Sequence, residues 1–248
     1  MDRRARWILA MTVRDRPAAG GDASELADLL ARLCALAVER VGVSGAAISL
    51  MAEGGLRSLA HATGPVSQQL DQLQFSLGEG PGVDAFDGGR PVLEPDLADG
   101  ALARWPAYAV AAQERGARAV FAFPLHVGAI SLGVLELFRD MPGSLSAEQM
   151  ADAVAVADVA VTLILDGQAE MPFGALAGPL DHALHFPAEM YQATGMIMVQ
   201  NQVSLTEAFV RLRAHAYAQG RSPAEVSRAV LAGELLLEKD PLQPEADV

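Results

Sequence analysis

The pattern of apolar and polar positions divides the chain into a mixed first part and a helical last part. In residues 22–41, leucines and alanines recur every three or four positions, which predicts an amphipathic helix, and Asp22 with Glu25 resembles a capping pair at its start. Two strand-like segments follow, 46–51 and 56–63, and the Glu-Gly-Gly sequence between them favours a hairpin.

The middle of the chain repeats this alternation. The spacing predicts helices over 65–74 and 104–115 and a short strand at 91–94. A second pair of strands, 119–126 and 129–139, is joined by a tight connection. Because strands joined by hairpins pair antiparallel, these elements predict an α+β domain with helices packed on its sheet, rather than a doubly wound α/β array.

A long helix over 146–168 is predicted to end this α+β domain, which spans residues 22–168. Ser146 with Gln149 matches a capping box. Five apolar residues along the helix have the spacing of a coiled-coil seam: Met150, Val154, Ala157, Val161 and Ile164. The helix can pack on its own sheet or form a dimer seam that transmits a signal, and the two are compatible if different faces are used.

Three short amphipathic helices are predicted within residues 186–238, after a linker over 169–185 that is rich in glycine and proline. Their starts are clear: Pro187 suits the first turn of one helix, and Ser204-Leu-Thr-Glu207 and Ser222-Pro-Ala-Glu225 are capping boxes for the others. Such a unit is too small to hold a substrate pocket. It suits the presentation of a surface, and nucleic acid is the best candidate for its partner.

The charge distribution limits how that unit could bind nucleic acid. The 248 residues, half of them apolar, carry a net charge of −13, which argues against binding by the whole chain through bulk electrostatics. Residues 186–236 are neutral, with four arginines and four glutamates, whereas residues 239–248 form an acidic tail. We therefore expect any nucleic-acid binding to be modest per protomer, and to need dimerisation.

The N-terminal residues 1–21 are predicted to be a disordered or loosely packed leader. They have a basic start and a short apolar patch, but no clear signal-peptide cleavage site. The longest apolar stretch, 153–165, includes Asp158 and is too short for a membrane span. The single cysteine, Cys34, excludes an internal disulfide and fits a reducing cytoplasm, so we expect a cytoplasmic protein without membrane contact.

The sequence holds no motif typical of an enzyme. No nucleophile–base signature occurs, and His182 and His185 lack a cysteine or acid cluster at metal-ligand spacing. The turn cluster Gly78–Gly82 lacks the spacing of a phosphate-binding loop, so we interpret it as a pocket rim. We therefore expect neither an enzyme nor a bound cofactor or metal.

Candidate residues for a small-ligand cavity lie in the first domain, although most aromatics in a small domain are simply core. They are Phe86, Trp105, Tyr108, Phe121, Phe123 and His126. Glu136 sits between two leucines of a predicted strand, and alternation alone does not decide whether it faces solvent or a pocket.

Candidate nucleic-acid contacts lie in the three-helix unit. Arg213 and Tyr217 are four residues apart on one flank of a helix, where they could bind a phosphate and stack a splayed base. Alternatively, Arg213 pairs with a carboxylate of the preceding helix and Tyr217 covers the core edge. Arg221 could meet a phosphate, and Gly195 costs its helix about 1 kcal/mol relative to Ala, which suggests a packing or contact reason.

Residues 186–236 resemble the ANTAR domain, a three-helix RNA-binding module of bacterial antitermination regulators. The matching segments are Ala193-Thr-Gly-Met-Ile-Met, Ser204-Leu-Thr-Glu-Ala-Phe, Leu212-Arg213, Ala216 and Pro223-Ala-Glu-Val226. The resemblance implies binding to paired RNA hairpins in nascent transcripts, which prevents terminator formation. It also implies that Thr194 is an RNA-facing position, where many ANTAR domains carry a lysine.

Residues 22–168 resemble a GAF domain. The matching segments are Leu77-Gly-Glu-Gly-Pro, Gly89-Arg-Pro-Val, Phe123-Pro-Leu and Leu132-Gly-Val-Leu-Glu-Leu. The resemblance implies a sensor that controls whether two ANTAR units are available, and the order of the two domains is common in actinobacterial regulators. Many such GAF domains carry a cysteine where this chain has Gly82, so thiol sensing is not expected there.

Together these patterns predict a homodimeric regulator that responds to a signal. Its GAF domain senses a small-molecule ligand or partner, the helix over 146–168 transmits the change, and the ANTAR unit binds RNA hairpin loops and promotes antitermination. Two alternatives stay open: a DNA-binding regulator that uses the three helices as a helix-turn-helix, and a ligand-sensing interaction module that binds no nucleic acid.

Overall fold

The predicted strands form one five-stranded antiparallel sheet in the computed structural model, which describes residues 1–14, 23–52, 56–169 and 188–237. The strands are β1 (Gly45–Ala52), β2 (Leu56–Ala62), β3 (Val92–Glu94), β4 (Ala119–Val127) and β5 (Ile130–Arg139). Their order across the sheet is β2-β1-β5-β4-β3. The sheet belongs to the first of two compact units, and the second begins at Pro187. The α+β prediction is confirmed.

Helices cover both faces of the sheet. One face packs against α2 (Ala23–Val41) and α7 (Ala147–Ala169), and α1 (Arg3–Thr12) packs on these two helices. The other packs against α3 (Pro65–Leu77), α4 (Pro81–Gly88), α5 (Ala101–Arg104) and α6 (Pro106–Glu114). Among the helices in the described ranges, none combines the length and the apolar character that a bilayer span requires.

Each strand divides its side chains between these two cores, because successive residues point to opposite faces. Along β4, Phe121 and Phe123 enter the first core, with α2 and α7, whereas Val120 and Ala122 enter the second. Glu136 of β5 is paired with Ala122, so it faces the second core, and this settles the orientation that the sequence left open.

The N-terminal segment differs from the predicted disordered leader. Residues 3–12 form α1, and the Asp2 side chain accepts a hydrogen bond from the amide of Ala5 at 2.7 Å, which caps the helix. Ala5 and Ile8 are fully buried in the first core. The basic residues suggested a leader, but the apolar residues recur at helical spacing and give one face that the domain buries.

The region between β2 and β4 contains more helix than predicted. The turn cluster at Gly78–Gly82 spans only the end of α3, where Gly78 has a φ of +70°, and the start of α4 at Pro81. The single helix predicted over 104–115 is two helices that divide at Trp105, because Pro106 restricts the residue before it to a non-helical conformation.

The described part of the second unit, residues 188–237, consists of three helices, as predicted: α8 (Ala188–Asn201), α9 (Leu205–Ala218) and α10 (Pro223–Leu231). Ser222 and Glu225 form a complete capping box at the start of α10. Ser204 caps α9 through the amide of Glu207, but the Glu207 carboxylate pairs with Arg211 instead of completing the box. The predicted hairpin turn, the acidic tail and nearly all of the predicted linker lie outside the described residues.

Candidate ligand pocket and RNA-binding surface

Three ionisable side chains form a buried cluster between the sheet and α3. Arg57 of β2, Asp71 of α3 and Glu136 of β5 are exposed by only 3%, 4% and 7%. The Nη2 atom of Arg57 donates hydrogen bonds to Asp71 Oδ1, at 2.5 Å, and to Glu136 Oε2. One guanidinium therefore bridges two carboxylates in the interior, where an unpaired charge would be costly.

Neutral groups extend this charge cluster to α4. Ser49 Oγ donates to Asp71 Oδ1, and Gln74 Nε2 donates to Glu136 Oε1. Gln74 Oε1 in turn accepts a hydrogen bond from the backbone amide of Gly82 at 2.6 Å. A continuous chain of hydrogen bonds thus connects the start of α4, through α3 and β5, to the outer strand β2.

Small residues around Glu136 leave room for the cluster. Ala47 of β1 and Ala122 of β4 are its partners in the neighbouring strands. A Cβ atom at Gly82 would lie 2.4 Å from Glu136 Oε1, so this position cannot hold a larger residue without displacing the carboxylate. Gly82 therefore packs directly against the Glu136 carboxylate.

The electrostatics of the cluster keep Arg57 charged and oppose the charge of Glu136. Burial lowers the pKa of Arg57, but Asp71 and Glu136 outweigh this and raise it overall. The pKa of Glu136 is raised, first by burial and then by Asp71, even though Arg57 and Gln74 act in the opposite direction. One guanidinium thus compensates two buried carboxylates incompletely.

A small cavity of about 10 Å³ adjoins the cluster. Its polar lining comes from Ser67, Asp71, Gln74, Tyr108 and Glu136. Tyr108 is fully buried, and its hydroxyl oxygen makes no hydrogen bond to any residue in the described part of the chain. Burial and the nearby Glu136 raise the pKa of Tyr108, so its hydroxyl stays protonated. A cavity of this size holds one water-sized group.

The loop before α4 positions Tyr108. The Oε1 atom of Glu79 accepts hydrogen bonds from the backbone amides of Ala107 and Tyr108, both at 2.8 Å. These amides belong to the first turn of α6, which has no internal partners for them. Glu79 therefore caps α6 and holds it beside the cavity.

Most of the aromatic residues predicted for a ligand pocket lie elsewhere. Only Tyr108 lines the cavity. Phe121 and Phe123 belong to the first core, on the opposite face of the sheet, so their prediction is wrong. Trp105 Nε1 donates to Asp84 at 3.2 Å, away from the cluster. Phe86 is half-buried at the second core, and His126 is exposed at the end of β4.

The residues that sequence reasoning missed are Arg57, Asp71 and Gln74. Their sequence signal is weak: one arginine in a strand that also contains Ser58 and His61, and two of the several polar residues on the helix that follows. Only the strand order, with β1 between β2 and β5, brings Arg57 to Glu136, which is 79 positions away.

In the second unit, α9 and the start of α10 present the predicted RNA-binding residues. The Arg213 guanidinium lies 4.8 Å from the centre of the Phe209 ring, and burial lowers its pKa. Among the described residues Arg213 forms no salt bridge, so the predicted alternative of a pairing with an α8 carboxylate is not seen. Tyr217 is 68% exposed, and Arg221, also exposed, donates to the Glu225 carbonyl oxygen at 3.1 Å.

The surroundings of Thr194 and Gly195 in α8 differ from those expected: Thr194 is more buried than expected, and Gly195 is less closely packed. Thr194 is fully buried, and its hydroxyl donates to the carbonyl oxygen of Met190 at 2.7 Å, so its prediction as an RNA contact is wrong. A Cβ atom at Gly195 would have no neighbour within 4 Å. The packing reason inferred for this glycine is therefore wrong, and open surface adjoins it.

The seam predicted on α7 is largely part of the domain's own core. Ala157 and Ile164 are buried in the first core, and Met150 and Val161 pack partly against it. Only Val154 is well exposed, at 43%. An α-helix rotates a heptad stripe by about 20° per repeat, so these five residues do not all lie on one face of α7.

Comparison with known proteins agrees with both units. The family model of the GAF domain matches residues 23–164, and that of the ANTAR domain matches residues 180–231. No curated protein matches the chain.

Many solved structures resemble this chain, among them a GAF domain and an enzyme. The GAF domain of a phosphoenolpyruvate-protein phosphotransferase from Coxiella burnetii is 19% identical, with a TM-score of 0.52 over 67% of this chain and 96% of that one. Free methionine-R-sulfoxide reductase from Neisseria meningitidis, in complex with its substrate, is 15% identical, with a TM-score of 0.50 over 69% of this chain and 95% of that one. At these identities the likeness concerns the fold alone.

Proposed function

Because the chain belongs to the GAF domain family and carries an ANTAR domain after its GAF domain, we propose that it is an RNA-binding regulator that promotes transcription antitermination in response to a signal. The GAF domain senses a ligand or a partner. The ANTAR domain binds hairpin loops in nascent RNA as part of a homodimer.

The observation that carries the proposal is the exposed side chain of Tyr217, which has an arginine on either side of it along the chain. The two arginines, Arg213 and Arg221, lie on either side of it in the chain, and the backbone amide of Arg221 bonds to the carbonyl oxygen of Ala216 at 2.9 Å. This bond holds the turn after α9 close to Tyr217. An aromatic ring flanked by cations suits an unpaired base and its phosphates.

The stacking of Arg213 on Phe209 favours binding, because it fixes the guanidinium before RNA arrives. A flexible arginine would lose rotamer freedom on binding, whereas a guanidinium stacked on a ring is already oriented. The unit is neutral overall, so affinity has to come from such oriented contacts and from two copies acting together.

The test is binding of the full chain to an RNA with paired hairpin loops, compared with duplex DNA of matched length. We expect Tyr217→Ala to weaken hairpin binding by roughly 5- to 150-fold, the equivalent of about 1 to 3 kcal/mol per stacked base. Tyr217→Phe should retain most of the affinity, since it keeps the ring. A further variant, Arg213→Ala, tests the contribution of that arginine. Its control is Arg228→Ala, which removes an exposed arginine of α10.

The competing functions predict other results. Preference for duplex DNA over hairpin RNA would support a DNA-binding regulator. Absence of hairpin binding by both monomer and dimer would remove the mechanism and leave a sensor that interacts with proteins.

A further inference from the structure

The charge cluster beneath α3 has one positive group for two carboxylates. Arg57 is the cation, and Asp71 and Glu136 are the anions; the other polar groups that face them, from β1, α3 and α6, are the neutral Ser49, Gln74 and Tyr108. The cluster therefore lacks one positive charge when both carboxylates are ionised.

We propose that the adjoining cavity binds one small monovalent cation, and that ammonium is the cation it fits best. This deepens the proposed function, because it names a signal for the GAF domain, and its regulatory meaning rests on that proposal. The binding itself can be measured independently.

The size of the cavity sets the first limit. Its volume of about 10 Å³ accommodates one water-sized group, so a larger amine or a nucleotide does not fit without rearrangement. Ammonium is about as large as water, and it brings the positive charge that water lacks.

Hydrogen-bond acceptors point to the same kind of ligand. Asp71 receives both of its bonds on Oδ1, which leaves the acceptor capacity of Oδ2 unused. Each oxygen of Glu136 takes one bond and has a second lone pair. The buried Tyr108 hydroxyl, which has no partner in the described part of the chain, lines the same cavity. Ammonium donates four hydrogen bonds and can satisfy these groups together.

The rest of the lining separates ammonium from metal ions. Half of the ten residues that line the cavity are apolar. Ammonium needs only four acceptors, which Asp71, Glu136 and Tyr108 supply, whereas an alkali cation exchanges its hydration shell for a larger number of oxygen atoms. In the described ranges no group of three His, Cys, Asp or Glu side chains could hold a metal ion.

The experiment is thermal unfolding of the full chain in ammonium, potassium, sodium and tetramethylammonium chloride at matched concentration and neutral pH. We expect the midpoint of the first unit to rise with the logarithm of the ammonium concentration, since a ligand at a hundred times its dissociation constant shifts folding about 100-fold. ¹⁵N-labelled ammonium should show a bound resonance. The other three salts should have equal, smaller effects.

Variants locate the site. Tyr108→Phe removes only the hydroxyl and should reduce the ammonium-specific shift, and Glu136→Gln should abolish it. Tyr191→Phe, in the second unit, is the matched control and should leave the shift intact. If Glu136→Gln does not fold, Tyr108→Phe still decides the question.

An equal response to all four salts would overturn the proposal and leave a water in the cavity. An equal response to potassium and ammonium would overturn the hydrogen-bonding argument. Hairpin RNA binding is measured on the same preparations. If the protein binds hairpin RNA but ammonium does not shift its unfolding midpoint, only the cation site is refuted. If ammonium binds but hairpin RNA does not bind in any salt, only the proposed function is refuted.

Discussion

Replacing Arg57 with methionine is the most direct perturbation of the buried charge cluster. Methionine keeps most of the length and apolar volume of the side chain but removes its charge. Asp71 and Glu136 then remain in the interior without their common partner. Removal of one member of a buried ion pair typically costs about 3 to 5 kcal/mol, because the partner left behind is desolvated and uncompensated.

For a domain of this size, 1 kcal/mol corresponds to about 2 to 4 °C, so the midpoint of the first unit should fall by roughly 6 to 20 °C. The loss should grow with pH. At low pH the Glu136 carboxylate takes up a proton and no longer needs a cation, whereas at higher pH it must be buried as an anion.

The assay is thermal and urea unfolding of Arg57→Met beside Arg115→Met. Arg115 is exposed, and its guanidinium bonds only to the carbonyl oxygen of Ala111 in its own helix, so its replacement should change stability by less than about 1 kcal/mol. In a background with Asp71→Asn and Glu136→Gln, the cost of Arg57→Met should shrink, because no buried anion is left unpaired. A loss below about 1 kcal/mol, or the same loss in that neutral background, would refute the reasoning.

Three further predictions concern single positions. Gly82→Ala should destabilise the first unit by about 1 to 3 kcal/mol, because the new methyl group overlaps the Glu136 carboxylate. Urea unfolding beside Gly64→Ala, whose Cβ would have no neighbour within 4 Å and whose φ of 169° is extended, gives the control without overlap. Glu136 binds its proton more tightly in the folded state, so the stability that it contributes is complete below its unfolded pKa and is lost as pH rises through its raised folded pKa; the difference in unfolding free energy between wild type and Glu136→Gln should therefore change across that window, and a constant difference would contradict the shift. Thr194→Lys restores the residue common in ANTAR domains, but at a fully buried position it should lower the stability of the second unit rather than increase hairpin affinity, as unfolding and RNA titration together would reveal.

The sequence predicted what depends on neighbours along the chain. The capping pairs at Ser146 and Ser222 form as predicted, because their partners are three residues away. The β-strands were predicted because turn signals and apolar runs are local. The charge cluster was not predicted, because the contact between Arg57 and Glu136 depends on the strand order, in which β1 lies between β2 and β5.

Candidate residues failed where burial depends on the whole domain. Phe121 and Phe123 are aromatic, as the residues of many pocket walls are. They occupy alternate positions of β4, and both face the first core, on the opposite side of the sheet from the cavity. Thr194 lies in a segment that matches the ANTAR pattern, yet only the packing of the three helices buries it. The helix α1 was missed because its charged residues outweighed the short apolar face that docks on α2 and α7.

Arg57 also has a consequence for how the sheet ends. It lies on β2, an edge strand, and edge strands invite pairing with strands of other molecules. Side chains alternate between the two faces of a sheet, so a shift of β2 by one residue would turn Arg57 outward. Asp71 and Glu136 would then remain in the interior without a cation. The cluster therefore fixes the register of β2 against β1, and an inward-pointing charge on an edge strand disfavours aggregation through that edge.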